Sequence, residues 1–338
     1  MSITTVPAPA AALALDAATL ERLVAAAVAA PSIHNTQPWR FQYDPDTATL
    51  AVHGDHVRNP RHTDPVGRAL YLSVGAAVFN LRVAARHLGR AARVRLLPEP
   101  ADPTLLAAVR LTALPPRARG RHQALYDALW RRHTSRLPFA DHRVPPQLLG
   151  ELADAAHIGG TVLYTPDRQE TVRLLHLTRR AEQRNTRDDD RSAESRRAIS
   201  GPAGSPYGIP GTALGPQDSA GRLPMRDFSA LRSPGLLPAA PFETTPTVAV
   251  LATAHDTRAD WLRAGQALEH VLLLATAAGV RTSLFHQALE WPDLRWALRD
   301  PARDQHLHVQ MLIRFGYGTT RPATPRRTPA DVLADLPD

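Results

Sequence analysis

Pro31-Ser32-Ile33-His34-Asn35-Thr36-Gln37-Pro38-Trp39-Arg40-Phe41 is the stretch on which the reading of this chain turns. It follows an Ala-rich run of helical character, Thr19 to Ala30, and leads into a strand-like segment from Phe41 to Tyr43. Pro31 disfavours helical geometry at Ala30 and so marks a helix end. Pro38 holds the chain extended a few residues later. Between the prolines, Ser32, His34, Asn35, Thr36 and Gln37 put polar side chains on a short, stiff loop. Asn35 and Gln37 each offer an amide acceptor and amide donors. Together they suit the edge of a heterocycle that alternates acceptors and donors, and Trp39 offers a flat apolar surface beside them.

The pyrimidine end of a flavin is such a heterocycle. The order Pro-Ser-x-x-Asn-x-Gln-Pro-Trp resembles the signature loop of the flavin-dependent nitroreductase superfamily. The resemblance implies that Ser32, His34, Asn35 and Gln37 hold the flavin. A second stretch, Arg131-Arg132-His133-Thr134-Ser135-Arg136, resembles that family's Arg-Arg-Ser-x-Arg element with one residue inserted. By itself it reads as a solvated basic patch at a helix end, favourable to the helix dipole. Followed by Leu137-Pro138-Phe139 and Val144-Pro145, it resembles the family's opening. That implies phosphate binding by Arg131, Arg132, Ser135 and Arg136, for which the planar guanidinium fork is suited. A third stretch, Gly279 to Gln287, matches a family segment that lays backbone against the ring and aims an N–H at N5, which implies roles for Ser283, His286 and Gln287. In the family a basic residue past the Gly316-Tyr317-Gly318 turn completes the phosphate site. Arg321, Arg326 and Arg327 are candidates here, and Arg326 or Arg327 fits the spacing better. The implied cofactor is FMN rather than FAD, since no adenine-binding motif accompanies the phosphate site.

The two halves of the chain echo each other. Gly67 to Gly89 reads as a long helix with an internal glycine, Gly75, and a strand-like run after it; Asp260 to Gly279 does the same with Gly265. An internal glycine costs helix stability, so a close backbone approach is a reason for keeping it. The motifs are divided between the halves. Glu21-Arg22-Leu23-Val24 stands where the first half would carry its Arg element, and Ala156-His157-Ile158-Gly159-Gly160 stands where the second would carry its signature loop. This resembles the Acg branch of the superfamily, fused pseudo-dimers with a lid. The implied fold class is α+β: a nitroreductase fold of two fused lobes with mixed sheets and long core helices. The lobes are expected at residues 1–120 and 121–338, with a lid insertion at about 187–246. That insertion is rich in Gly and Pro yet holds Tyr207, Ile209, Leu214, Met225, Phe228 and Leu231, too many large apolar groups for a solvated linker.

Composition narrows the function classes. The chain has 338 residues, 43% of them hydrophobic, and carries no cysteine, which excludes disulfides, thiol nucleophiles and Cys-based metal sites. Net charge is +8. There is no lysine, so a side-chain cation holding a phosphate is Arg or His. Arginines are scattered and aromatics sparse, which argues against nucleic-acid binding. Apolar runs are too short to span a bilayer and the N-terminus lacks a basic signal region, so a cytoplasmic protein without membrane partners is expected. Neither a Gly-x-Gly-x-x-Gly nor a Gly-x-Ser-x-Gly motif occurs. His306 and His308 read as a polar strand face rather than metal ligands, and Asp188-Asp189-Asp190 as a solvated turn.

The function implied is an FMN-dependent oxidoreductase with a single lidded site, acting on a small molecule with NAD(P)H as donor, and monomeric. Two alternatives remain open on sequence: an FMN-sequestering or storage protein without turnover, and a tailoring dehydrogenase on a small heterocycle or peptide. No general acid is assigned, His34 and His286 being the nearest candidates.

Overall fold

The computed structural model describes residues 15–114, 123–199, 205–228, 238–299, 306–320 and 323–333. The first half runs α1 (Ala17–Val28), β1 (Trp39–Asp44), β2 (Thr49–Gly54), α2 (Arg68–His87), β3 (Arg90–Leu96) and β4 (Leu105–Ala113). Asp16 caps α1, its carboxylate accepting the Thr19 N–H at 2.7 Å. The second half runs α3 (Gln123–Arg131), α4 (Pro146–Ile158), β5 (Val162–Tyr164), α5 (Arg168–Arg187), α6 (Asp189–Ile199), β6 (Gln217–Asp218), β7 (Ala239–Ala240), β8 (Thr247–Thr253), α7 (Arg258–Ala277), β9 (Arg281–Phe285), α8 (Pro292–Ala297), β10 (His308–Gly316) and α9 (Pro329–Val332).

The repeat is visible in the topology. The first sheet has the order β1-β2-β4-β3 and the second β5-β8-β10-β9. With α1 matched to α4 and α2 to α7, the two halves are the same series of elements with the same strand order. The series is interrupted between β5 and β8, where the first half has only a hairpin turn and the second inserts α5, α6 and the segment after them, and again between β9 and β10, where the second half adds α8. Within each four-stranded sheet the strands pair antiparallel. Each sheet also carries a parallel bridge at its edge, Phe41 with Leu333 and Thr134 with Thr282, which makes both mixed.

The long helices α2 and α7 pack together between the sheets. Their glycines are reciprocal. A Cβ on Gly75 would lie 2.3 Å from the Leu262 carbonyl oxygen, and one on Gly265 would lie 2.1 Å from that of Leu72. Only glycine lets the two backbones come this close. The helices also cross-link the two hydrophobic cores: Leu262 and Leu273 of α7 pack with Leu23, Phe41 and Leu81 of the first half, and Leu72 of α2 packs with Val250, Leu272 and Ile313 of the second. Ala128 and Leu129 of α3 belong to the first core.

Two local expectations are corrected. Asp188-Asp189-Asp190 is not a free turn: Asp188 accepts the Arg191 N–H at 3.0 Å and starts α6, with Asp189 and Asp190 in its first turn and Arg196 and Arg197 in its last. That placement of charge favours a helix. The expected irregular insertion therefore begins with a helix, and its described irregular part includes residues 205–228.

Candidate functional site

The signature loop leaves α1 in a strained form. His34, Asn35 and Gln37 have φ of 49°, 57° and 50°, a left-handed region that non-glycine residues rarely adopt. The loop is tied across its base by the Ser32 hydroxyl, which accepts the Gln37 N–H at 2.9 Å. Strand β9 and the segment from Thr134 lie alongside, joined by the Thr134–Thr282 bridge and by the Ser135 N–H donating to the Thr282 carbonyl at 2.7 Å. The two halves thus bring their separate motifs to one place.

Two adjoining cavities lie there. The larger, about 1030 Å³, is lined by Ser32 and His34 of the loop, by Leu72 of α2, by Ser283, His286 and Gln287, and by Met225, Arg226 and Phe228 of the insertion. The smaller, about 770 Å³, is lined by Asn35, Arg132, Ser135, Arg281 and Arg326, with Ile209 and Leu214 from the insertion. Ser32 and Arg136 line both. One end is mostly apolar and the other is rich in arginine.

Of the residues expected at the site, Gln37, Arg131 and Arg327 line neither cavity. Gln37 is fully buried; its amide donates to the Pro206 carbonyl at 2.6 Å and accepts the Arg327 N–H at 2.8 Å. Arg131 is exposed and reaches back to the Asp127 carbonyl. Arg327 donates to the carbonyls of Trp39 and Asp331 and faces the Tyr207 ring. Trp39 is fully buried in the first core and offers no face to a ligand. Asn35 lines the smaller cavity while its amide donates to the Gly208 and Pro325 carbonyls and accepts from Arg326 at 2.9 Å. Arg321 lies outside the described residues.

The electrostatics centre on residues the motifs did not mark. Glu290, 5% exposed, accepts from His286 Nδ1 at 3.0 Å, Asn185 at 3.0 Å, Arg191 at 3.3 Å and Arg226. Arg68 donates to His286 Nε2 at 2.8 Å. Arginine can only donate, so the His286 proton sits on Nδ1 and goes to Glu290. Arg226 likewise donates to His34 Nε2 at 3.1 Å, which puts the His34 proton on Nδ1. Burial, then the charge of Arg226, holds His34 well below the ordinary histidine value; burial and then Arg68 do the same for His286. Both imidazoles are neutral at pH 7. Burial and Arg226 bring Arg136 down to about 10, and burial and Arg132 bring Arg326 down to about 9, so both remain cations at neutral pH.

Rv3131 of Mycobacterium tuberculosis, provisionally named an NAD(P)H nitroreductase, is 34% identical over 327 residues, covering 94% of this chain and 92% of that one. The chain belongs to the nitroreductase family, in its Acg-like branch. Acg itself, from the same organism and with the same kind of provisional name, is 32% identical over 318 residues, 91% of this chain and 93% of Acg. A crystal structure provisionally assigned as a nitroreductase, from Anabaena variabilis, shares the fold, with a TM-score of 0.54 at 10% identity over 89% of this chain and 88% of that one. No family model matches the chain.

Against the nitroreductase pattern, Arg68, Glu290 and Leu72 are the residues that sequence reasoning missed. Arg226 was seen only as part of the insertion. Arg68 and Arg226 are far in sequence from the histidines they touch, while Glu290 follows His286 by four residues, just past the end of the motif. Among the described residues, no three His, Asp or Glu gather to hold a metal, and no helix is long and apolar enough to cross a membrane.

Proposed function

We propose that the chain binds one FMN across the two adjoining cavities and works as a nitroreductase-like oxidoreductase on a small molecule, with NAD(P)H as donor. The observation that carries this reading is the convergence of the loop, the Arg element, the β9 segment and the C-terminal arginine on one cleft with an apolar end and a cationic end. The donor set fits a phosphate ester. Arg132 Nη1 and Arg326 Nε are buried with no hydrogen-bond partner among the described residues, in side chains that belong to the cationic cavity. Arg132, Ser135, Arg136 and Arg326 would hold the phosphate, and Leu72, Met225 and Phe228 would contact the ring. When bound, the flavin supplies the hydride chemistry. The protein's part is to orient it and exclude water. His286 has both nitrogens engaged and His34 is neutral, so neither is assigned as a proton donor.

The insertion acts in this reading as a lid. Phe228 stands edge-on to His34 at 5.6 Å, and Ile209, Ala213 and Phe228 form a small cluster of their own. The lobes are taken as 1–120 and 121–338, the lid falling within 187–246, and the protein as a monomer, because α2 and α7 already join the two halves inside one chain. A second reading, flavin storage, is favoured by one feature: Asn35, Gln37 and Gln287 donate to the Gly208, Pro206 and Pro224 carbonyls of the insertion at 2.9, 2.6 and 3.0 Å. An absorption spectrum of the purified protein, followed by anaerobic NADH or NADPH, separates the readings. Bleaching of a flavin spectrum is expected; a flavin that dithionite reduces and neither nucleotide does would favour storage.

A further inference from the structure

Glu269 has no role in the oxidoreductase reading, yet it sits in a costly place. It is on α7 with 0% exposure, and Arg132, itself 4% exposed, lies 3.4 Å away. The pair is held by charge rather than by hydrogen bonds. Arg132 Nε and Nη1 and both Glu269 oxygens lack a hydrogen bond of good geometry among the described residues, and only Arg132 Nη2 has one, to the Ala29 carbonyl at 3.3 Å. A guanidinium held this way is free to turn to a better acceptor, and a phosphate oxygen is one. Arg132 lines the cationic cavity and Glu269 does not.

The surroundings show what the carboxylate is for. Arg132 and Arg326 repel each other, and both pull on Glu269, as does the Asn80 amide of α2. Burial pushes the Glu269 carboxyl up to about 7 against that pull. A buried arginine pair with no anion between them is unfavourable, and one internal carboxylate offsets it.

We propose that Glu269 is an internal stand-in for phosphate: it neutralises Arg132 and Arg326 when no anion is bound and competes with the phosphate ester for Arg132. The inference rests on the FMN reading for the ligand's identity, but its logic concerns any phosphate in the cationic cavity. Glu269 stabilises the protein without cofactor and lowers affinity for FMN relative to what the arginines could reach alone. It sets how strongly the site prefers a phosphorylated flavin.

The test uses the full chain, stripped of flavin, as wild type and as Glu269→Gln. FMN and riboflavin are titrated by fluorescence quenching, and inorganic phosphate by thermal shift. Glu269→Gln is expected to tighten FMN about tenfold, the scale of one charge-assisted hydrogen bond regained, and to leave riboflavin unchanged. Without phosphate the variant should melt below wild type, and phosphate should raise its melting temperature more than that of wild type. In an Arg132→Ala background the substitution should give no gain in FMN affinity. Unchanged or weaker FMN binding by Glu269→Gln would overturn the proposal and make Glu269 a support for Arg132. Should wild type bind neither flavin, the FMN reading fails by itself, and the phosphate shifts of the two proteins still decide the role of Glu269. A variant that folds only with phosphate present counts for the proposal; one that does not fold even then counts against it.

Discussion

Arg136, like Ser32, lines both cavities, so in the proposed complex it would lie where the two ends of FMN meet. Its Nη1 donates to the Ala213 carbonyl at 3.3 Å, a long contact that a phosphate oxygen would readily replace. Arg136→Ala is expected to weaken FMN binding about ten- to a hundredfold, the 1.5–3 kcal/mol of a charge-assisted hydrogen bond, with a much smaller effect on riboflavin. Parallel fluorescence titrations of the two ligands check it, and equal losses would remove Arg136 from the phosphate site. A stability prediction belongs to Arg314, fully buried between the Phe139 and Phe242 rings and paired with Glu243. Glu243→Ala leaves that guanidinium unpaired and should cost about 3–5 kcal/mol in a urea melt. At this scale the sequence was legible where neighbours in the chain are neighbours in the site. Ser32, His34, Ser283 and Arg136 were readable for that reason. Trp39 was not: its aromatic face suggested a ligand surface, but the strand alternation of β1 turns it into the core, where Phe41 also points.

The elements were legible from periodicity and punctuation. Gly75 and Gly265 interrupt otherwise good helices, and the reciprocal approach of α2 and α7 is the physical reason. Gly265→Ala would gain about 1 kcal/mol of helix propensity in an exposed helix. Here its Cβ meets backbone, which cannot rotate away, so the net effect should be destabilisation by about 1–3 kcal/mol or more. Chemical denaturation measures it; a more stable variant would mean that the helices are further apart than described. The start of the insertion was misread because Asp and Arg dominate it, and composition hides a helix whose signal is the order of the charges. The rest of the insertion makes contact through carbonyls of Pro206, Gly208 and Pro224, which no sequence pattern specifies. Replacing residues 205–228 with a short Gly-Ser linker should preserve the fold, since loop changes alter closure entropy little. It should also raise the rate at which bound flavin is reduced by dithionite, followed by stopped-flow absorbance. An unchanged rate would mean that the segment does not restrict access.

At the scale of the whole molecule, the repeat and its asymmetry carry the account. The halves share element order and strand order, but not the loop between the first helix and first strand. In the first half residues 29–38 fill that connection; in the second only Gly159, Gly160 and Thr161 do, and a Cβ on Gly159 would already meet Ala267 at 2.9 Å. Three residues cannot repeat the strained, polar loop that reaches the cleft. The second half instead supplies the arginines, β9 and the C-terminal segment to the same cleft. The proposed site therefore predicts one cofactor per chain. The measurement that tests this is the ratio of FMN to protein after reconstitution and denaturation, with flavin quantified by absorbance against protein concentration. The account predicts one FMN per chain; two per chain, or none after reconstitution, would contradict it.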